Sequence, residues 1–281
     1  MKITKVLLVF LLVMSMALVT AFLAVFTIPD EVKLNVRLGD SQKNKLQCYR
    51  NPEAKPIDRN GDIAIFVWNI YKQSKENWRE SLEQYSQSAS LGLLQEVSMT
   101  EEFKAYASKS SWYRSHVDAF SAFGVSSGVL TLSKNSPLLA CAYLEVEPWI
   151  LLPKSGIYAV FPLSDERELA VVNLHSINFT YGIEEYEQQI ARLAEALKAH
   201  QGPIIFAGDL NAWSVERFDA IRDGLEHLGL KEVKFTPDNR TQFVNGMPLD
   251  YIFYRDLELI SASSPISEAS DHNPLLVKFR L

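Results

Sequence analysis

Hydrophobic and polar positions divide the chain into three parts. The first is set by an apolar run, Val6–Ile28, of 23 residues without charge, glycine or proline. Only Ser15, Thr20 and Thr27 interrupt it, so a helix here has no polar stripe to turn to solvent. Such a helix is about 34 Å long, enough to cross a hydrocarbon core. Residues 1–30 are therefore predicted to form a single-pass membrane anchor, with a cleaved signal peptide as the alternative. Lys2 and Lys5 precede the run, and positive residues tend to stay cytoplasmic. The rest of the chain is then expected on the far side, which is the periplasm in a bacterium. Lys33 and Arg37 follow closely and weaken that contrast, so a cytoplasmic domain is the alternative.

The second part, residues 31–62, shows no sustained periodicity. Its charges, amides and two prolines (Pro52 and Pro56) predict a linker with a short strand near Val32–Leu38. The third part, residues 63–281, alternates short apolar runs with longer-period segments. Ile63–Trp68, Leu91–Gln95, Gly128–Leu132, Tyr158–Leu163, Leu169–Leu174, Ile204–Ala207, Tyr251–Tyr254 and Leu275–Phe279 have strand length. Several are apolar on both faces, as in strands covered from both sides. Trp78, Leu82, Tyr85 and Ala89 recur at helical spacing, as do Ile183, Tyr186, Ile190, Leu193 and Leu197. Ser214 is placed to cap a third helix carrying Phe218, Ile221, Leu225 and Leu228. This interleaving predicts an α/β or α+β domain; two packed sheets with outer helices fit the strand count, and periodicity does not distinguish them from one open sheet.

At 47% hydrophobic and 22% charged residues, the composition is that of a globular chain and not of a disordered one. A net charge of −6 gives no general attraction to nucleic acid, although a local basic groove stays open. Neither cysteine, Cys48 or Cys141, belongs to a CxxC pair, which argues against structural zinc. Unpaired thiols are the default reading, with a disulfide as the alternative in an oxidising compartment.

Polar residues gather where the apolar runs end. Asn69 ends one run, Gln95 and Glu96 another, and Asn173 and His175 a third. Asp209 and Asn211 follow a fourth, Asp250 opens a fifth, and Ser270, Asp271 and His272 precede the last. If these ends meet, carboxylates, amides and two histidines share one cleft. Phosphate-ester cleavage needs such a set, because a hard cation must offset charge that builds in the transition state. Mg²⁺ keeps several waters, so one or two carboxylates hold it. Glu96, with Asn69 beside it, is the candidate ligand. Asp209 is suited to take a proton from water, Asn211 to hold that carboxylate or a phosphate oxygen, and Asp250 to polarise His272; His175 offers a second donor.

Taken together, Trp68-Asn69-Ile70, Leu94-Gln95-Glu96, Asn173-Leu174-His175, Gly208-Asp209-Leu210-Asn211, Leu249-Asp250-Tyr251 and Ser270-Asp271-His272-Asn273-Pro274 resemble the six ordered motifs of the endonuclease/exonuclease/phosphatase superfamily. That group includes DNase I-like nucleases, abasic-site endonucleases, inositol polyphosphate 5-phosphatases and neutral sphingomyelinases. The similarity runs from about residue 63 to the C-terminus and is closest to the YafD-like bacterial branch. It implies a four-layer α/β/β/α sandwich with its site at one end of two mixed sheets. It also implies Mg²⁺ or Mn²⁺ at Glu96, helped by Asn69 and Asp271, with catalysis by His175, Asp209, Asn211, Asp250 and His272. Asn69, Lys72 and Asn173 are expected to bind substrate, Lys72 standing where many relatives have glycine.

Alone, each of these residues is more readily a turn former or surface group; the ordered set carries the reading. His116, His200 and His227 fall outside it and are read as packing or surface residues, as are Trp68 and Trp213. The expected activity is phosphodiester hydrolysis, nuclease-like, with a phospholipid or phosphomonoester substrate as the alternative. The competing class is a membrane-tethered binding module without turnover. No obligate protein partner is expected.

Overall fold

The computed structural model describes residues 2–38 and 41–281. Helix α1 (Lys2–Val25) leads into β1 (Phe26–Thr27), β2 (Leu34–Leu38), β3 (Ser41–Leu46), β4 (Cys48–Arg50) and β5 (Asp62–Asn69). A 3₁₀ turn (Tyr71–Gln73) precedes α2 (Trp78–Ser86), β6 (Leu91–Ser98), α3 (Glu101–Lys109), β7 (Tyr113–Ala122), β8 (Val125–Ser133) and β9 (Leu139–Val146). Then come β10 (Pro153–Pro162), β11 (Glu168–His175), α4 (Glu184–Leu197), β12 (Ile204–Asp209), α5 (Val215–Glu226) and β13 (Lys231–Glu232). The chain closes with β14 (Asp250–Arg255), β15 (Glu258–Ser263) and β16 (Leu275–Arg280).

Among the described residues these strands form two mixed sheets. One runs β15-β16-β5-β6-β8-β7-β2-β3, with β1 on β7; the other runs β13-β14-β12-β11-β10-β9-β4. Ile65, Val67, Leu93 and Val129 of the first sheet meet Ile157, Ala159, Val171 and Ile205 of the second in a core between the sheets. The outer face of the first sheet buries Phe66, Trp68 and Leu94 against Trp78 and Leu82 of α2 and Phe103 of α3. That of the second buries Val172 and Phe206 against Ile190 and Leu193 of α4 and Ile221 of α5. The result is the α/β/β/α sandwich, and the strands are apolar on both faces because each sheet is covered on both sides. Ser214 caps α5 by accepting from the Arg217 amide, and Thr100 caps α3 in the same way through Phe103.

Helix α1 is long and apolar enough to span a membrane over Thr4–Val25, and no part of that window is buried against the domain. It stops short of the predicted Ile28 because Phe26 and Thr27 pair with Ala122 and Ser121 of β7.

The linker expected at residues 31–62 is corrected by the strand pairing. β2 pairs with β7 over Leu34–Arg37, as the short predicted strand allowed, and β4 pairs with β9. The segment therefore contributes to both sheets, with Leu34, Val36, Tyr49 and Ile57 inside the inter-sheet core. Its apolar residues are too few and too widely spaced to show a period, yet tertiary packing recruits them. The default reading of two free thiols is also corrected: Cys48 and Cys141 face each other across β4 and β9 and form a disulfide.

Candidate active site

Sheet register assembles the site. β5 and β6 run parallel with Asn69 opposite Gln95, and β11 and β12 run parallel with His175 opposite Asp209. β14 is antiparallel to β12 and opens at Asp250, directly across from Asp209. β16 is antiparallel to β5, so the loop before Leu275 returns His272 to the Asn69 end. Six remote segments thus end at one edge of the sandwich.

Local backbone then aims the side chains. At β6 the register slips between Leu94 and Val97 against β8, a bulge that puts Glu96 at φ 54° and turns its carboxylate into the cleft. Gly208 has φ 147°, and a Cβ there would lie 1.8 Å from the Leu174 carbonyl oxygen, so only glycine lets β12 approach β11 before Asp209. Ser270 Oγ donates to the Asn69 carbonyl at 2.7 Å, and Trp68 Nε1 donates to the His272 carbonyl at 2.9 Å, fixing the Ser270–His272 loop onto β5.

Asp209 is the centre of the cluster. Its Oδ2 accepts from Asn69 Nδ2 at 2.9 Å and its Oδ1 from the Asn211 backbone amide at 3.1 Å. His175 Nε2 stands 3.5 Å from Asp209 Oδ2 and 3.9 Å from Glu96 Oε1. His272 Nε2 lies 3.9 Å from Asp209 Oδ2, while its Nδ1 is 2.7 Å from Asp250 Oδ2. Asn69, Asp209, Asp250, His175 and His272 are all buried, and Glu96 is partly open.

The two histidines hold opposite charge states. Burial works against the charged form of His272, but Asp250 and then Asp209 outweigh it and push this imidazole up to about 10. Burial and the Lys154 ammonium push His175 down to about 4. Lys154 Nζ lies 2.9 Å from His175 Nε2, the geometry of an ammonium donating to a neutral ring. Burial would raise the Glu96 carboxyl, yet the neighbouring His175, Lys72 and Lys154 hold it down to about 2. With His175 neutral, the two lysines supply most of that positive field.

One sequence expectation changes here. Asn173 is expected at the substrate but lies between the sheets, fully buried. It accepts from Gln95 Nε2 at 2.7 Å and donates to the Leu130 carbonyl at 3.1 Å and Thr131 Oγ1 at 3.2 Å. It clips one sheet to the other. Asp271, expected at the metal, has an exposed side chain whose Oδ1 lies 3.3 Å from Ser270 Oγ. Lys72, expected at substrate, forms an ion pair with Glu96 at the cleft. Asn211 holds Asp209 through its backbone, and its side-chain amide donates to the Ser176 carbonyl at 3.0 Å. Lys154 was not anticipated; nothing in Leu-Pro-Lys-Ser distinguishes it from a surface lysine. His116 is buried against Asp118 at 3.1 Å, away from the cluster.

Asp209, Asp250 and His272 each bring one donor atom to within 4.8 Å of the others, a buried group able to hold a metal ion. The charged ring of His272 argues for a proton-holding pair with Asp250 there. Glu96 suits a hard cation better, since its carboxylate is ionised, partly open, and close to His175 in the cleft; a cation there would displace the Lys72 ammonium. The oxygen donors present therefore fit a divalent cation.

The family model described as Endonuclease/Exonuclease/phosphatase family matches residues 66–272, spanning five of the six motifs and the sixth as far as His272. The chain belongs to this family. Members are phosphoester hydrolases that typically use divalent metals. A UPF0294 protein of Vibrio cholerae serotype O1 is 49% identical over 96% of both chains. A UPF0294 protein of Yersinia enterocolitica is 41% identical over 82% of this chain and 88% of its own. Among solved structures, ANGEL2, a 2′,3′-cyclic phosphatase, superposes with a TM-score of 0.62 at 18% identity, covering 78% of this chain and 95% of that one. The human Nocturnin catalytic domain gives 0.60 at 17%, covering 82% and 99%. At such identity these two share the fold.

Proposed function

We propose that this protein is a divalent-metal-dependent hydrolase of phosphodiester bonds, anchored through helix α1 over Thr4–Val25. The observation that carries the reading is the array of buried Asn69, Asp209, His175, His272 and Asp250 with partly open Glu96 at one sheet end. Mg²⁺ or Mn²⁺ at Glu96, with Asn69 beside it, would offset negative charge on the phosphate oxygens. Asp209, oriented by Asn69 and the Asn211 amide, takes the proton of the attacking water. His272, kept charged by Asp250, donates to a phosphate oxygen or the leaving group. Lys154 and His175 face the same anion from the other side, and Lys72 is freed to meet it when a cation takes Glu96.

The domain is proposed to lie on the non-cytoplasmic side. Lys2 and Lys5 ahead of the apolar run favour that orientation, and the Cys48–Cys141 disulfide suits an oxidising compartment. Nucleic acid is the substrate that family resemblance favours. A phospholipid head group is the second reading, favoured by the absence of a long tether between α1 and the sandwich.

The test is a metal-dependence screen of the full chain on a soluble aryl phosphodiester, oligonucleotides and phospholipids, with Glu96→Ala and His272→Ala alongside. Hydrolysis that needs Mg²⁺ or Mn²⁺ and is lost in both variants is the expected result. Hydrolysis surviving both overturns the site assignment, and no hydrolysis across the panel leaves the binding-module reading instead.

A further inference from the structure

The membrane helix and the catalytic cleft lie at the same end of the sandwich. Glu96 and Ser98 close β6 at the cleft, and Ser98 pairs with Ser127 near the start of β8. The β7–β8 hairpin tip, Phe123–Gly124, is therefore at the cleft end. That tip receives α1: the Phe123 amide donates to the Val25 carbonyl at 2.9 Å, and β1 pairs immediately with the last residues of β7. Ring contacts from Phe22 to Phe26 (5.1 Å) and Phe26 to Phe120 (6.0 Å) continue the join. No flexible segment separates the spanning helix from the sheet that holds Asn69 and Glu96.

The same end carries the exposed apolar surface. Trp149 (58% exposed) and Leu151 lie in the β9–β10 loop, Phe179 and Tyr181 (77%) follow β11, Phe123 (81%) tops the hairpin, and Val244 (94%) precedes β14. Trp149 stacks on Phe179 at 6.5 Å and touches Tyr181 at 5.6 Å, so the rings form one platform. Buried Glu147 supports it, its Oε1 accepting from the amides of Asn178 and Phe179. Among the described residues outside α1, Ile260 in edge strand β15 is the exposed large apolar side chain that lies elsewhere. Exposed apolar groups gathered around a cleft mark an interaction surface. Tryptophan and tyrosine beside aliphatic residues are the side chains that settle at a membrane–water interface.

We infer that the cleft end of the domain rests on the bilayer that α1 spans, with this apolar rim in the interface, and that the phosphoester it takes is presented by that bilayer as a lipid head group. The inference rests on the phosphoesterase reading for its substrate, and on the α1 join and the rim for its orientation. Lys72 and Lys154 then meet head-group phosphates arriving from the plane of the membrane.

The full chain is reconstituted in vesicles of phosphatidylethanolamine and phosphatidylglycerol, with or without brominated acyl chains. Brominated lipid is expected to quench tryptophan emission, with a component lost in Trp149→Phe. Equal quenching in wild type and variant overturns the orientation. Separately, the triple variant Trp149→Ser, Phe179→Ser, Tyr181→Ser is compared on vesicle lipid and on a soluble aryl phosphodiester. The expected result is about a tenfold or greater loss on vesicles with the soluble rate unchanged. Wild-type turnover of the soluble diester without any of vesicle lipid overturns the lipid substrate and leaves the phosphoesterase reading intact. No metal-dependent turnover of either sinks that reading, while the quenching result still decides the orientation. Loss of oligonucleotide cleavage in the triple variant, without quenching by lipid, would make the rim a platform for bases and overturn the inference.

Discussion

His272 donates through Nδ1 to Asp250 Oδ2 at 2.7 Å, and this one contact sets the charge of the ring that faces Asp209. Asp250→Asn keeps the shape and removes the charge. The rate constant for hydrolysis is expected to fall by about 10²–10⁴ with little change in KM. In the same variant the His272 ring should titrate well below the value of about 10 that it has beside Asp250, as read by imidazole NMR. A variant that keeps both rate and titration would make the pair structural.

Lys72 occupies Glu96 where a cation would bind. Lys72→Ala should therefore tighten binding of Mg²⁺ or Mn²⁺ severalfold, because no ammonium has to be displaced. Glu96→Gln should weaken it by at least about tenfold. Calorimetric titration of the metal alone reads both, independently of turnover.

Gly208→Ala should disrupt the β11–β12 approach, since the added Cβ meets the Leu174 carbonyl at 1.8 Å and φ is 147°. A loss of about 3 kcal/mol or more is expected in denaturant unfolding. An unaffected midpoint would mean that the strands separate at no cost.

The Cys48–Cys141 bond closes a sequence separation of 93 residues. Reduction, or Cys48→Ser with Cys141→Ser, should cost about 2–4 kcal/mol. Unfolding with and without reductant, against the double variant as the control, measures it.

Asp118 of β7 gives an acid limit separate from the catalytic cluster. Burial would raise its carboxyl, but hydrogen bonds and charge from His116, with Ser126 and Asn35, hold it to about 2, below the ordinary 3.8. A depressed carboxylate stabilises the fold above its unfolded value. That contribution is lost as pH falls from about 4 toward 2. Asp118→Asn should flatten the stability profile in this window and leave pH 7–8 differences constant.

Legibility followed burial. The eight apolar runs became β5, β6, β8, β10, β11, β12, β14 and β16 because both of their faces are covered, which writes a continuous hydrophobic signal. β7 carries Arg114, His116 and Asp118 among its residues, and β15 is an edge with exposed positions, so neither shows that signal. The cluster was readable because its residues sit next to those runs. Lys154 was not, since its role comes from β10 lying beside β11, and a strand neighbour leaves no trace in local spacing. Asn173 shows the converse: it shares a motif with a cleft residue but is buried between the sheets.

The weaving of residues 34–50 into the sandwich bears on how the protein can be handled. Cutting the chain near residue 62, where the apolar pattern becomes regular, would strip β2 from β7 and β4 from β9 and remove half of the disulfide. Two raw strand edges would then be offered to any neighbouring chain, an invitation to aggregate. A fragment freed of apolar helix α1 should instead begin just ahead of β2, so that β7 and β9 keep their strand partners.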